Sequence, residues 1–104
     1  MANTFKLVTK ANVTSSDVIY TPDSVTTVIL GLILGNNTSS QVTTTVDLEN
    51  NDSDNVALVT DAPIPAGSSL EMLAGNKVVM ETSDVLKVTS SGNTDVALSI
   101  MEIT

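Results

Sequence analysis

Gln41-Val42-Thr43-Thr44-Thr45-Val46-Asp47-Leu48 decides the fold class. Val42, Thr44, Val46 and Leu48 fall on one face of an extended chain, and Gln41, Thr43, Thr45 and Asp47 on the other. Strict period-two alternation of this kind marks an antiparallel strand with one face buried and one in water. The reading extends outward from there. Residues 94–102 place Val96, Leu98 and Ile100 on one face, and residues 84–90 place Leu86 and Val88. Residues 26–34 are different: Val28, Leu30, Leu32 and Leu34 line one face while Ile29, Gly31 and Ile33 line the other. Both faces are apolar, so this strand is central or lies under a neighbour.

Turn signals punctuate these runs at intervals of roughly ten residues, as strands joined by short connections require. They are Pro22-Asp23-Ser24, Gly35-Asn36-Asn37, the acidic stretch 49–54, Pro63-Ile64-Pro65-Ala66-Gly67, Ala74-Gly75-Asn76, Ser83-Asp84 and Ser91-Gly92-Asn93. The segments between them give eight or nine short strands, near 4–10, 16–21, 26–35, 40–49, 55–61, 68–73, 77–82, 84–90 and 94–103. Val, Ile and Thr supply 35 of 104 residues, and such β-branched side chains favour pleated strands. Only residues 68–73 carry a helix-start pattern, Ser68 with Glu71 three residues on. Gly75 and Asn76 end that run too soon, and it reads as strand and turn. The expected fold is all-β: a single antiparallel β-sandwich of about eight short strands, Ig-like or jelly-roll-like with Greek-key connections, filling residues 1–104 as one domain.

Composition removes whole classes of function. Four lysines against twelve acids give a net charge of −8, and there is no Arg, His, Cys or Trp. A chain without a basic stripe does not bind nucleic acid through its phosphates. Without His or Cys there is no zinc site, no haem ligation of the usual kind and no Ser-His-Asp or Cys-His nucleophile. Without Cys the fold holds by packing alone. The polar start Met1-Ala2-Asn3-Thr4-Phe5-Lys6 is not a signal peptide, and the longest apolar stretch, 28–34, is too short to cross a bilayer. The expectation is a soluble protein with no cofactor, no metal, no catalytic residue and no membrane partner.

Local motifs add little chemistry. The acidic segment 47–55 has carboxylates at alternate positions, but counted from Asp52 the sixth residue is Ala57 where a Ca²⁺ loop needs glycine, and the twelfth is not glutamate. Asp47 and Glu49 lie about 7 Å apart on one side of a strand, a spacing a glycosidase can use. With Tyr20 and Phe5 the only aromatics, nothing stacks on a sugar. One feature stands out: strands carrying apolar residues on both faces. Ile29 and Ile33 in the third strand, and Met101 and Ile103 in the last, exceed what one buried face needs. They are candidates for a subunit interface, for a second core under loops, or for scattered surface residues.

The stretch Asp61-Ala62-Pro63-Ile64-Pro65-Ala66-Gly67-Ser68-Ser69-Leu70-Glu71 opens a cadence with a family resemblance. A Pro-Ala-Gly turn, a strand beginning Ser-Leu-Glu, a short hairpin, and then strands like Asp84-Val85-Leu86-Lys87-Val88-Thr89 and Asp95-Val96-Ala97-Leu98-Ser99-Ile100-Met101-Glu102-Ile103 follow in order. Together with 26–36, this resembles small virion structural proteins of tailed phages, marine cyanobacterial phages in particular, over residues 24–103. Those proteins more often carry acid-Gly-Asp before the penultimate strand, whereas Glu81-Thr82-Ser83-Asp84 has no glycine. The resemblance implies a non-enzymatic, multi-copy component of the virion, assembled in the host cytoplasm. A capsid decoration (cement) protein is the first expectation and a tail, neck or baseplate component the alternative; outside the resemblance, a carbohydrate- or Ca²⁺-binding adhesin-like module ranks third. The implied partners are further copies of the chain, trimers among them, and the major capsid protein or other virion proteins.

Overall fold

The computed structural model describes residues 2–51, 54–72 and 77–104. Nine strands appear among them: β1 (Asn3–Val13), β2 (Ser16–Tyr20), β3 (Thr26–Asn36), β4 (Val42–Glu49), β5 (Asn55–Ile64), β6 (Ser69–Met72), β7 (Val78–Met80), β8 (Val85–Ser90) and β9 (Thr94–Ile103). They form two antiparallel sheets. Sheet A runs β1-β9-β3-β6, with β7 also pairing β3, and sheet B runs β2-β8-β4-β5. The pairs β1·β9, β2·β8, β3·β6 and β4·β5 are the rungs of one long ribbon, folded at the β4–β5 turn and rolled so that successive rungs alternate between sheets. That is a jelly roll, one of the two sandwich types the strand rhythm allows.

The core lies between the sheets. Ile29, Leu32, Leu34, Val96, Leu98 and Ile100 from sheet A meet Ile19, Val42, Val46, Leu86 and Val88 from sheet B, all buried. Ile29 corrects the alternation expected for the third strand. Ile29 pairs with Ile100, but Gly31 pairs with Ser99, so Leu30 is an extra residue in the ladder. This bulge shifts the phase by one, and a one-residue slip exchanges faces. Thr27 and Ile29 point inward before it, Leu32 and Leu34 after it, while Val28 and Leu30 are half-buried. Ile29 therefore belongs to the core and not to an outer face.

Connections are closed by specific hydrogen bonds. Asn36, buried, donates from Nδ2 to the carbonyls of Ser40 (2.8 Å) and Ile64 (2.9 Å) and accepts at Oδ1 from the Thr38 N–H (2.9 Å). It ties the β3–β4 loop to the end of β5. In the β8–β9 hairpin a Cβ on Gly92 would sit 2.8 Å from Val42 Cγ1, so the backbone packs where no side chain fits. The turn that lacks glycine, Glu81–Asp84, puts Ser83 at φ 74, with the Asp84 N–H donating to the Glu81 carbonyl (3.1 Å). Ser83 thus occupies the left-handed position that glycine takes most easily. The reading of 68–73 as strand holds through Met72.

Candidate assembly surface

Registers across sheet A define what its outer face displays. Asn3, Ile103 and Thr26 form one cross-strand row. Phe5, Met101, Val28 and Val79 form the next. Leu7, Ser99 and Gly31 form the third, and Thr9, Ala97, Ile33 and Glu71 the fourth. Phe5 is 72% exposed, Leu7 68%, Val79 60% and Ile33 45%. These apolar side chains stand on β1, β3 and β7 and are left exposed by the described residues. With strands about 4.8 Å apart and residues rising about 3.3 Å, the four-strand width of the sheet spans a plane on the order of 500 Å². The apolar part of that plane is within the range of the largest patch on an ordinary monomer, and such patches are often functional. A shallow depression of about 390 Å³ lies at its edge, lined by Thr9, Ile33, Gly35 and Ala97 among others.

Three of the four residues singled out from the sequence come together here. Ile33, Met101 and Ile103 all point out of sheet A, and Ile29 points into the core. Sequence reasoning missed Phe5, Leu7 and Val79. Phe5 and Leu7 alternate with Lys6 and Val8, a period-two signal that was present but reads equally well as a half-buried strand facing inward.

Below this face, at one end of the sandwich, four polar side chains form a linked cluster. Glu102 accepts hydrogen bonds from the Tyr20 hydroxyl (2.5 Å) and pairs with Lys6 Nζ (2.8 Å), and Tyr20 also bonds Thr27 (2.8 Å). The Lys6 ammonium, and after it the Tyr20 hydroxyl, hold the Glu102 carboxyl below the usual carboxylate range. Burial, and after it the bond to Glu102, push the Tyr20 hydroxyl above its ordinary value. The shifted pair links β2 of one sheet to β9 of the other and so acts as a structural brace.

The other sequence candidates do not assemble into a site. Asp47 lies opposite Lys87 on the outer face of sheet B, and Glu49 pairs with Lys87 Nζ at 2.6 Å. Asp54 is exposed, and Asp52 lies outside the described residues.

No family model matches the chain, and no curated protein matches it. Solved structures do. A chain of the Bacillus endospore appendages, a family of disulfide-linked pili, aligns with a TM-score of 0.56 at 13% identity, over 99% of this chain and 87% of that one. A chain of infectious bursal disease virus, Gx strain, aligns with a TM-score of 0.53 at 12% identity, over 96% of this chain and 32% of that one. A chain from a crystal structure of the same virus's particle gives 0.54 at 9%, over 96% and 30%. The likeness is one of fold. It supports a sandwich of the kind found in pili and viral particles, and it does not support the tailed-phage or marine origin suggested by the sequence cadence. The disulfide linkage of the pili has no counterpart here, because this chain has no cysteine.

Proposed function

We propose that this chain is a non-enzymatic structural subunit whose work is to bury the outer face of sheet A within a multi-copy particle. The observation that carries the reading is the outward-facing apolar set of sheet A: Phe5, Leu7, Ile33 and Val79 exposed, with Val28, Met101 and Ile103 half-buried among them. The finer reading is a capsid decoration (cement) protein on the outer shell of a tailed phage, docking on the major capsid protein as trimers or other small oligomers. The cadence of residues 61–103 and the shared sandwich fold of a viral-particle chain support it. The alternative, a tail, neck or baseplate component, draws support from the pilus likeness, which covers nearly the whole of both chains.

Burying each large apolar side chain of the face contributes roughly 1.5–3 kcal/mol. The plane is somewhat smaller than the ~800 Å² per partner of a standard interface, so repetition around a symmetric assembly is what makes it stable. The test is quantitative densitometry of purified particles, with Ile33→Asp and Ile103→Asp variants alongside wild type. Hundreds of copies per particle fit shell decoration, and about six to twelve fit a closed ring in the neck or tail. A chain absent from particles, or variants that incorporate as well as wild type, would end the proposal.

A further inference from the structure

The two sheets end in free edges, and they are not equivalent. β2 has five residues and a register break between Val18 and Tyr20. β5 carries Pro63, Asp61 at φ 49 and two register breaks against β4. β6 and β7 have four and three residues. Short strands, prolines, bulges and charged side chains, lysine above all, are the devices that keep edges from pairing with other chains. β1 carries only the last, Lys6 and Lys10, and keeps one register on β9 from Asn3 to Lys10 without proline, glycine or bulge.

The hydrogen bonding of that edge can be assigned. The Thr104 N–H donates to the Ala2 carbonyl at 3.0 Å, one step beyond the Asn3–Ile103 pair. Ala2 and Thr104 are thus a hydrogen-bonded pair, so even-numbered residues of β1 turn their N–H and C=O toward β9. Asn3, Phe5, Leu7 and Thr9 turn theirs to the free edge. The strand that offers those unpaired groups also carries Phe5 and Leu7, the two most exposed large apolar residues. It holds two of the four lysines and no acid, whereas β2, β5 and β6 carry Asp17, Asp61 and Glu71. On a chain of net charge −8, β1 is the edge where a second copy meets least repulsion.

We infer that β1 pairs antiparallel with β1 of a second copy across a two-fold axis, making sheet A continuous over two subunits. Another β1 is the one described edge of matching length and regularity, and pairing it with itself leaves no open edge for unlimited growth. The charges choose the register. Centring the axis on Lys6 sets Lys6 against itself, and centring it on Val8 sets Lys6 against Lys10. Centring it on Phe5 leaves Thr9 and Lys10 without partners. Centring it on Leu7 places Lys6 opposite Val8, Phe5 opposite Thr9 and Thr4 opposite Lys10, with no like-charge pair and about six backbone hydrogen bonds. The outer faces of both sheets A then lie on the same side and merge. Seven paired residues bury less than the ~800 Å² of a standard interface, so the free dimer is weak and concentration-dependent. Such a contact joins neighbouring oligomers, and it stands or falls separately from the outer-face reading.

A chain without cysteine allows a direct test, because Leu7→Cys introduces its sole thiol. The Cα separation in a hydrogen-bonded pair, about 5.5 Å, falls within the disulfide range. Under mild oxidation Leu7→Cys is expected to form a covalent dimer at least about tenfold faster than Asn3→Cys or Thr9→Cys. Equal rates at all three positions, or no dimer at any, overturn the inference. Leu7→Pro is the second arm: it removes an N–H that faces the free edge and not β9. Its expected outcome is loss of the dimer seen by sedimentation at high concentration, with the circular dichroism of the folded chain retained. Adding Ile33→Asp or Ile103→Asp to Leu7→Cys should leave the cross-linking rate unchanged. If either abolishes cross-linking, the copies meet through the outer face and the edge pairing is wrong.

Discussion

The outer face of sheet B carries Ser16, Thr89 and Thr45 in one row and Val18, Lys87, Asp47 and Ala57 in the next. Its charges answer each other, Lys87 with Glu49 at 2.6 Å, and Thr45 Oγ1 accepts from the Asp61 N–H at 3.0 Å. The outer face of sheet A occupies the same position in the sandwich and carries Phe5, Leu7, Val28, Ile33, Val79, Met101 and Ile103 instead. Thr, Val and Ile suit a pleated strand equally well, because all are β-branched. A largely polar outer face therefore suffices for a sheet of this fold, as sheet B shows, where Val18, 55% exposed, is the one large apolar side chain in those rows. The apolar side chains of sheet A exceed that need, and the proposed assembly role rests on this excess.

The largest effect expected from this contrast compares two isoleucines four residues apart in β3. Ile29 is fully buried, while Ile33 is 45% exposed on the outer face. Ile29→Ala should cost about 2–5 kcal/mol, as large-to-small changes in a packed core do. Ile33→Ala should fall within about 1 kcal/mol. Urea unfolding of the two variants measures the difference. Similar losses would mean that Leu30 is not a bulge and that the assignment of faces in β3 is wrong.

How much of this was legible in the sequence follows from the same strand. In β4, β8 and β9 one face is polar or mixed, so the alternation states which residues go inside: Val42, Thr44 and Val46, Leu86 and Val88, and Val96, Leu98 and Ile100 are all buried. In β3 both faces are apolar, so the pattern has no phase, and one inserted residue goes unseen. Gly31 beside Leu30 was the available hint, since glycine within a strand often marks a bulge. A two-sheet sandwich was expected, but which strands share a sheet was not readable. Strand rhythm is local, whereas pairing of β1 with β9 joins residues nearly a chain length apart. The outer face of sheet A is assembled from four such distant segments, which is why Ile33, Met101 and Ile103 were visible singly but their meeting with Phe5 and Val79 was not.

A middle-sized effect comes from converting one face into the other. Val28→Thr, Ile33→Thr and Met101→Thr replace three of the seven apolar side chains of the face with the residue type that sheet B uses. Monomer stability should change by about 1 kcal/mol per site or less. Self-association through the outer face should weaken sharply, leaving the weak β1–β1 contact. Wild type should associate more strongly as salt rises, because the net charge of −8 opposes contact and half-molar salt shortens its reach to about 4 Å. Sedimentation velocity at low and high salt reads both effects. The proposal of an adhesive face A fails if the triple variant and wild type sediment alike at high salt, or if wild type associates less as salt is added.

The smallest effect concerns the polar brace behind the outer face. The pleat that turns Met101 and Ile103 outward turns Glu102 between them inward, where it meets Lys6 and Tyr20. The Glu102 carboxyl is held below its usual range, so the folded state binds its proton less readily than the unfolded chain does. Its contribution is therefore complete above the ordinary carboxylate pKa, near 4.3, and is lost as pH falls through the lower folded value. The Tyr20 hydroxyl is raised, so its contribution is complete below about pH 10 and is lost as pH climbs beyond that. Between those limits the brace is intact. Glu102→Gln should lower the melting temperature by a few degrees at neutral pH and by progressively less below pH 4, as the wild-type carboxyl also becomes neutral. Melting curves from pH 2.5 to 7 test this directly. Parallel profiles for wild type and variant across that range would show that Glu102 is not depressed in the folded chain and that the brace contributes nothing to stability.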